Sequence, residues 1–244
     1  MPTEQADELK KLLKENVHNI TTSGGSDSIP DLPEYEIHPR EFFGYAEEEM
    51  EDLKSNRSVV NCISNLKRAM DSQVDILLYS LNLQKLYKDK RLGFDRKIGF
   101  INKCGFFNKG SLSRINTIRN KLEHHYELPS IEDIEVYFDL VYAFIIVLEG
   151  GITTVGRESE RTFSVVEWKE DDSEPEEIGE LYSSYKPKNI ELKIDFSKQD
   201  FKREFVANSG NLDELAFFIK IHSILTGIND TYHSEYLNSQ ILRL

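Results

Sequence analysis

One short segment of the 244-residue chain carries several side chains that could do acid–base chemistry on a phosphate ester. Arg119, His124, His125 and Tyr126 fall within eight residues of each other. Imidazole titrates near neutral pH, so a histidine can take or give a proton, and a guanidinium stays charged and meets phosphate oxygens as a bidentate fork. Cleavage of RNA without a metal needs a base for the 2′-hydroxyl, an acid for the leaving 5′-oxygen and a cation for the charge that develops at the phosphate. The segment is therefore a candidate ribonuclease site.

The same residues also have a structural interpretation. Two histidines at the end of a helix interact favourably with the helix dipole, Arg119 could pair with Glu123, and Tyr126 could pack under the next turn. On a continuous helix Arg119 and His124 would project about 140° apart, at roughly 100° per residue. They would meet only if the helix unwinds near Glu123, or if two copies of the chain bring both sets to one groove. Residue types and spacing alone favour the structural interpretation.

The net charge of −13 argues at first against a nucleic-acid partner, because phosphates repel an acidic surface. The charge is unevenly distributed, however. Residues 84–121 hold eleven lysines and arginines against two aspartates, which leaves −22 on the other 206 residues. The acidic excess is greatest over residues 167–180, where eight carboxylates accompany one lysine. A basic run is often only a solvated face, but this one reaches into the candidate site.

Other common functional classes lack support in the sequence. It contains no glycine-rich phosphate loop, no Cys-x-x-Cys, no Gly-x-Ser-x-Gly and no His-Glu-x-x-His. Two cysteines are too few for a disulfide framework, so we expect a reducing, cytoplasmic location. The first residues lack the apolar core of a signal peptide, and the longest apolar run, residues 140–148, is far shorter than the ~20 residues of a membrane span. We expect no membrane segment, no metal and no cofactor.

Helical periodicity dominates the middle of the chain. Apolar side chains recur at three-and-four spacing over residues 58–83, which predicts a long amphipathic helix. Shorter helices are predicted near residues 94–106 and 111–122. Consecutive helices with short connections predict an antiparallel bundle over residues 40–152.

The last helix of this bundle has start and stop signals. Ser130 and Asp133 form a capping box, in which the serine hydroxyl reaches forward and the carboxylate reaches back. A wide apolar face follows, and Gly150 and Gly151 are expected to end the helix.

The period changes towards the C-terminus. Residues 161–168 and 190–196 have the composition or the alternation of strands, and the acidic stretch between them is expected to be a loop. Residues 211–225 and 231–242 are predicted to be helical.

These patterns predict a mainly α fold in three parts. Residues 1–39 would form an N-terminal helix and a flexible linker rich in glycine, serine and proline. Residues 40–152 would form the helical bundle, and residues 158–244 a small α+β region of unknown role.

The pattern Arg119-Asn120-x-x-x-His124-x-Tyr126 resembles the signature of the HEPN superfamily, which is Arg-x4-6-His with a polar residue after the arginine. The tyrosine two residues past the histidine is similar to the form found in HEPN toxins that are paired with minimal nucleotidyltransferase antitoxins. HEPN domains are antiparallel helical bundles with a long early helix and the motif near the end of a late helix. The resemblance covers about residues 42–151, somewhat under half of the chain.

The resemblance implies a homodimeric endoribonuclease that needs no metal and acts in a toxin–antitoxin or phage-defence system. His124 would be the general acid or base, Arg119 would contact the scissile phosphate, and Asn120 would orient either group. Tyr126 would be the residue that a partner nucleotidyltransferase modifies with AMP. We expect RNA to dock on the basic segment, with contacts from Lys97, Lys103, Arg114 and Lys121. The alternative is a non-catalytic HEPN module that binds a protein or a nucleotide through its C-terminal region.

Overall fold

A computed structural model of the protein describes residues 3–51, 55–107, 110, 117, 127–169, 174–230 and 234–244. The chain divides into two compact units. The sheet unit consists of residues 1–30, 81–83 and 153–244, and the helical unit consists of residues 31–80 and 84–152. The N-terminal segment therefore folds with the C-terminal region.

The described elements are, in chain order, α1 (Glu4–Glu15), β1 (Ile20–Asp27), α2 (Pro39–Met50), α3 (Asn56–Ser80), α4 (Gln84–Asp89), α5 (Phe94–Lys103), α6 (Ile131–Val155), β2 (Ser159–Glu167), β3 (Glu176–Lys186), a 3₁₀ turn (Pro187–Asn189), β4 (Glu191–Lys198), β5 (Phe201–Asn208), α7 (Leu212–Asp230) and α8 (Ser234–Leu242). The strands form one antiparallel sheet in the order β1-β2-β3-β4-β5.

The fold is mixed α+β, so the prediction of a mainly α fold, an HEPN-like bundle followed by a small α+β region, is wrong. Three of the five strands have no clear alternation of apolar residues, and the sequence therefore did not reveal them. Residues 176–180, which were expected to lie in an acidic loop, form the beginning of β3; this stretch pairs with β2, and its last two residues also pair with β4. The predicted strands at 161–168 and 190–196 are confirmed as β2 and β4.

Strand β1 replaces part of the predicted linker. Its sequence, Ile-Thr-Thr-Ser-Gly-Gly-Ser-Asp, has little apolar surface, but it pairs with β2 from Ile20 opposite Val165 to Asp27 opposite Ser159. Gly25 is required for this pairing because a Cβ there would lie 2.5 Å from the carbonyl oxygen of Glu160. The strand is thus stabilised by its partner rather than by its own propensity.

One face of the sheet forms the core of the sheet unit. Alternate residues are buried along β2 and β4 and in the second halves of β3 and β5, and α7 packs across β1, β3, β4 and β5. Helix α1 contributes Leu9 and Leu13, both with no exposed surface. The predicted helix at 211–225 is confirmed as α7, and its start is capped by the Asn211 side chain, which accepts from the Glu214 backbone N–H at 3.3 Å.

The core of the helical unit lies between α3 and α6. Helix α3 confirms the long helix predicted at 58–83 and buries the stripe that its spacing implied. The Tyr137 hydroxyl of α6 lies 3.8 Å from the Met70 sulfur of α3, deep in this core. Helix α2 is tied to α6 by Arg40, whose guanidinium donates to both carboxylate oxygens of Glu149 at 2.7 and 2.6 Å.

Helix α6 begins as predicted and ends later. The Ser130 hydroxyl accepts from the Asp133 backbone N–H at 3.1 Å, which confirms the forward half of the capping box. The helix continues through Gly150 and Gly151 to Val155, so the predicted stop at the glycines is wrong. At Gly151 a Cβ would lie 3.0 Å from the Phe106 ring, so this glycine allows an aromatic side chain to approach the helix.

Helix α6 is also long and apolar enough to cross a membrane when length and composition alone are considered. An 18-residue window of it has a mean hydropathy of 1.7, and 39% of that window is buried. Core helices of soluble proteins pass the same test, and α6 buries Tyr137, Val141 and Phe144 completely. Its composition is therefore weak evidence for a membrane span.

Candidate functional site

The predicted catalytic residues lie outside the described part of the chain. This holds for Arg119, Asn120 and His124, for the predicted modification site Tyr126, and for two of the predicted RNA contacts, Arg114 and Lys121. The predicted helix at 111–122 also lies there, except for residue 117. The motif falls between α5 and α6 in sequence, and α5 and residues 131–152 of α6 belong to the helical unit.

The described half of the basic segment forms a strongly positive surface. Between residues 84 and 107 there are seven lysines and arginines and two aspartates. Five of these cations are exposed and form no ion pair with any described residue; they are Lys85, Lys88, Lys90, Arg91 and Arg96. Their charge is therefore available to a ligand that carries negative charge.

The two described residues that were predicted to contact RNA differ in their surroundings. Lys97 is partly buried, and its ammonium nitrogen lies 2.5 Å from an Asp75 carboxylate oxygen, so its charge is already matched. Lys103 is exposed in the last turn of α5, where a positive charge interacts favourably with the helix dipole. Lys97 is thus placed to hold α5 against α3 rather than to meet RNA directly.

A small cleft opens beside this ion pair. It has a volume of about 130 Å³ and is lined by residues of α3, α4, α5 and the α4–α5 corner: Asp75, Leu78, Gln84, Tyr87, Lys88, Arg91, Leu92 and Lys97. The amide of Gln84 donates to the hydroxyl of Tyr35 at 3.2 Å. Burial and the nearby Asp75 carboxylate raise the pKa of Tyr35, so this hydroxyl stays neutral.

The corner between α4 and α5 has an unusual backbone. Arg91 has a φ of 49°, in the left-handed region that glycine adopts freely and that costs other residues about 1–2 kcal/mol. Here the Leu92 N–H bonds to the Tyr87 carbonyl at 2.9 Å and the Arg91 N–H to the Lys88 carbonyl at 3.0 Å, which ends α4. The sequence does not signal this conformation, because the position after a helix is usually left-handed where it holds glycine or asparagine, and here it holds arginine.

A second polar cluster lies in the core of the sheet unit and was not foreseen from the sequence. His222 of α7 is completely buried, with Nε2 2.6 Å from the Ser159 hydroxyl and Nδ1 2.7 Å from the Ser183 hydroxyl. Burial, together with the charge of Arg161, lowers the pKa of His222 to about 3. The imidazole is therefore neutral and bridges two strands.

This histidine is not arranged for nucleophilic catalysis. Both of its ring nitrogens are occupied by hydroxyls, and Ser159 and Ser183 are 1% and 0% exposed, so no substrate can reach either oxygen. Nearby, the Asp27 carboxylate lies 3.0 Å from Arg157 and 2.7 Å from Arg161, an ion cluster that joins β1 to β2. Both clusters are structural.

The cysteines and the acidic side chains offer no further site in the described residues. Burial raises the pKa of Cys62 to about 12 and that of Cys104 well above its usual range, so both stay unreactive thiols. Among the described residues, no group of three or more histidine, cysteine, aspartate or glutamate side chains is arranged to hold a metal ion.

A comparison of the chain with protein-family models, with curated proteins and with solved structures finds no match.

Proposed function

We propose that the protein is a cytoplasmic, homodimeric, metal-independent endoribonuclease of the HEPN type, acting in a toxin–antitoxin or phage-defence system. The observation that carries the proposal is the Arg119-Asn120-x-x-x-His124-x-Tyr126 motif at the end of a segment with eleven cations and two anions. The motif alone and the charge alone each have a structural explanation, but their occurrence together favours a phosphodiester substrate.

Each motif residue has a stated role. His124 exchanges a proton with the 2′-hydroxyl or the leaving 5′-oxygen, and Arg119 stabilises the charge that develops at the scissile phosphate. Asn120 orients one of these groups. Because Arg119 and His124 would project about 140° apart on an unbroken helix, a complete site is built from two copies of the chain.

Two features of the helical unit support the proposal. The exposed cations of α4 and α5 that form no ion pair with a described residue belong to the same basic segment as the motif and precede it in the chain, which favours binding of a polyanion such as RNA. The 25-residue helix α3 precedes the motif in the chain, in the place of the long early helix that the family resemblance implies.

The test is RNA cleavage by purified protein in the presence of EDTA. We expect His124→Ala and Arg119→Ala each to lower the cleavage rate about 10²-fold or more. His125→Ala is the matched control, because it removes an adjacent imidazole at a variable position of the motif, and it should cleave at the parent rate. Cleavage that survives both His124→Ala and Arg119→Ala would refute the proposal. A folded protein that binds RNA without cutting it would indicate the non-catalytic alternative.

The composite site has its own test. Mixed dimers of the His124→Ala and Arg119→Ala chains contain one site with both residues intact if the site takes one residue from each copy. We therefore expect mixing, followed by subunit exchange, to restore part of the activity that each variant lacks. No recovery in dimers shown to be mixed would place both residues of each site in one chain.

The partner can be tested through Tyr126. If a nucleotidyltransferase antitoxin modifies this residue, mass spectrometry of protein co-expressed with its genomic neighbour should find an adduct with the mass of AMP on the Tyr126 peptide. Tyr126→Phe should abolish the adduct. An unmodified Tyr126 in the presence of an active transferase would contradict this part of the proposal.

A further inference from the structure

The cleft at the α4–α5 corner combines free positive charge with a shape that suits a small anion. Lys88 and Arg91 stand on its rim, exposed, and neither forms an ion pair with a described residue. The third cation of the cleft, Lys97, neutralises Asp75, so this carboxylate does not cancel the charge of the other two. The local field therefore favours an anion.

The chemistry of the walls narrows the ligand further. Tyr87 is 3% exposed and Leu78 is fully buried, so the cleft offers no aromatic face on which a base could stack. Its volume of about 130 Å³ leaves room for a small group only. A guanidinium and an ammonium beside a small cleft match the oxygens of a phosphate, with the arginine able to bind two of them at once.

The way in which α4 ends places Arg91 beside the cleft. Its φ of 49° is the left-handed conformation that commonly follows the last residue of a helix, and the Arg91 and Leu92 N–H groups bond to the Lys88 and Tyr87 carbonyls. The helix end accounts for this conformation, and the arginine side chain lines the cleft. The charge and the size of the cleft therefore carry the inference.

We infer that this cleft binds one backbone phosphate of a single-stranded RNA, with Arg91 and Lys88 as its ligands and Lys97 as a positioning residue that holds α5 to α3 through Asp75. The inference rests on the proposed action on RNA and assigns the contact that docks the substrate. It also revises the predicted RNA contacts, because Lys88 and Arg91 take the place that the basic segment alone suggested for Lys97.

The experiment measures RNA binding by the full chain carrying His124→Ala, so that the RNA stays intact. Fluorescence anisotropy with a labelled 20-nucleotide oligouridine, at several KCl concentrations, gives the affinity and its salt dependence. We expect Arg91→Gly and Lys88→Ala each to weaken binding about ten-fold, and each to lower the slope of log K against log salt by about 0.7, the value for one phosphate contact on a single strand. Arg96→Ala is the matched control, because Arg96 is an exposed cation of α5 that forms no ion pair with a described residue and does not line the cleft.

Arg91→Gly separates binding from structure. It removes the side chain and relieves the left-handed strain, so the melting temperature should rise or stay constant while RNA affinity falls. Unchanged affinity in Arg91→Gly and Lys88→Ala would overturn the inference. So would an equal loss in Arg96→Ala, since that would mean a diffuse positive surface without a defined site.

Two further measurements identify the ligand of the cleft and distinguish a failure of this inference from a failure of the proposed nuclease activity. Inorganic phosphate should displace the oligouridine only at millimolar concentration, and displacement by micromolar phosphate would identify the cleft as a site for free phosphate and overturn the RNA assignment. Cleavage is measured separately with His124 intact. If the cleft variants lose affinity but the protein with His124 intact does not cut RNA, the cleft is supported and only the nuclease activity is refuted. If the protein with His124 intact cuts RNA and the cleft variants bind RNA with unchanged affinity, only the cleft is refuted.

Discussion

The buried His222 makes the stability of the sheet unit depend on pH in a way that can be calculated. In the folded protein its pKa is about 3, whereas an unfolded chain has the usual value of 6.5. Between these values the unfolded state binds one proton more than the folded state, so stability falls as the pH falls below 6.5. Protonation would also turn both ring nitrogens into donors, and the Arg161 and Arg157 charges would oppose it.

The size of the effect follows from the two pKa values. Acidification from pH 7 to pH 5 should remove about 2 kcal/mol of unfolding free energy through this one residue. The same figure results for any folded pKa below about 4, because the folded histidine then stays almost entirely unprotonated at pH 5 and only the unfolded histidine takes up a proton. Above pH 8 the contribution vanishes.

The assay is urea denaturation followed by the fluorescence of Trp168, the only tryptophan of the chain. Its indole N–H donates to the His18 carbonyl oxygen at 3.0 Å, and both residues lie in the sheet unit, so the signal reports on that unit. The parent is compared with His222→Gln, which keeps a side chain that can donate to one serine and accept from the other but does not titrate. The difference between their unfolding free energies should change by about 2 kcal/mol between pH 7 and pH 5.

A pH-independent difference would refute this reasoning, as would an NMR titration in which His222 of the folded parent gains its proton near pH 6.5. The NMR measurement needs no substitution, so the prediction stays testable even if His222→Gln does not fold.

Three further predictions concern single residues. Asp27→Ala leaves the Arg161 guanidinium, whose side chain is 4% exposed, without its carboxylate, so it should cost about 3 kcal/mol of unfolding free energy. Urea denaturation followed by Trp168 fluorescence measures this loss, and a loss under about 1 kcal/mol would contradict the buried ion cluster. Gly25→Ala should destabilise the same unit by about 1–3 kcal/mol, since its Cβ would lie 2.5 Å from the Glu160 carbonyl oxygen; wild-type stability would disprove the β1–β2 register. Gly150→Ala should stabilise the helical unit by about 0.5–1 kcal/mol, because Gly150 lies inside a helix, where alanine is favoured over glycine, and the added Cβ would meet no heavy atom of the described residues within 4 Å. Thermal unfolding followed by circular dichroism measures this gain. Gly151→Ala, which crowds the Phe106 ring, should lack that gain, and destabilisation by Gly150→Ala would mean that α6 ends at the glycines.

The helices could be predicted because their signal is local. The stripe on α3 repeats every three or four residues, and the Ser130 cap lies beside the helix that it starts, so neighbouring residues contain the information. The basic segment is equally visible, since charge needs no partner in order to be counted.

The sheet could be predicted only in part. Strand β1 is polar and rich in glycine, and it forms because β2, more than 130 residues later, supplies its hydrogen bonds. Strand β3 begins inside an acidic stretch, which composition assigned to a loop. In both cases the stabilising partner is remote in sequence, so local pattern could not reveal it.

The same distinction applies to the candidate sites. The sequence by itself determined which residues could act on RNA, because the Arg119 and His124 spacing and the run of cations are properties of neighbouring residues. Only the tertiary structure decided that Lys97 is matched by Asp75, that Arg91 takes a left-handed conformation, and that His222 is neutral between two serines. The Lys97 and His222 arrangements depend on burial or on a partner from another element, and burial and partners are set by how the elements pack. The Arg91 conformation depends on the hydrogen bonds that end α4.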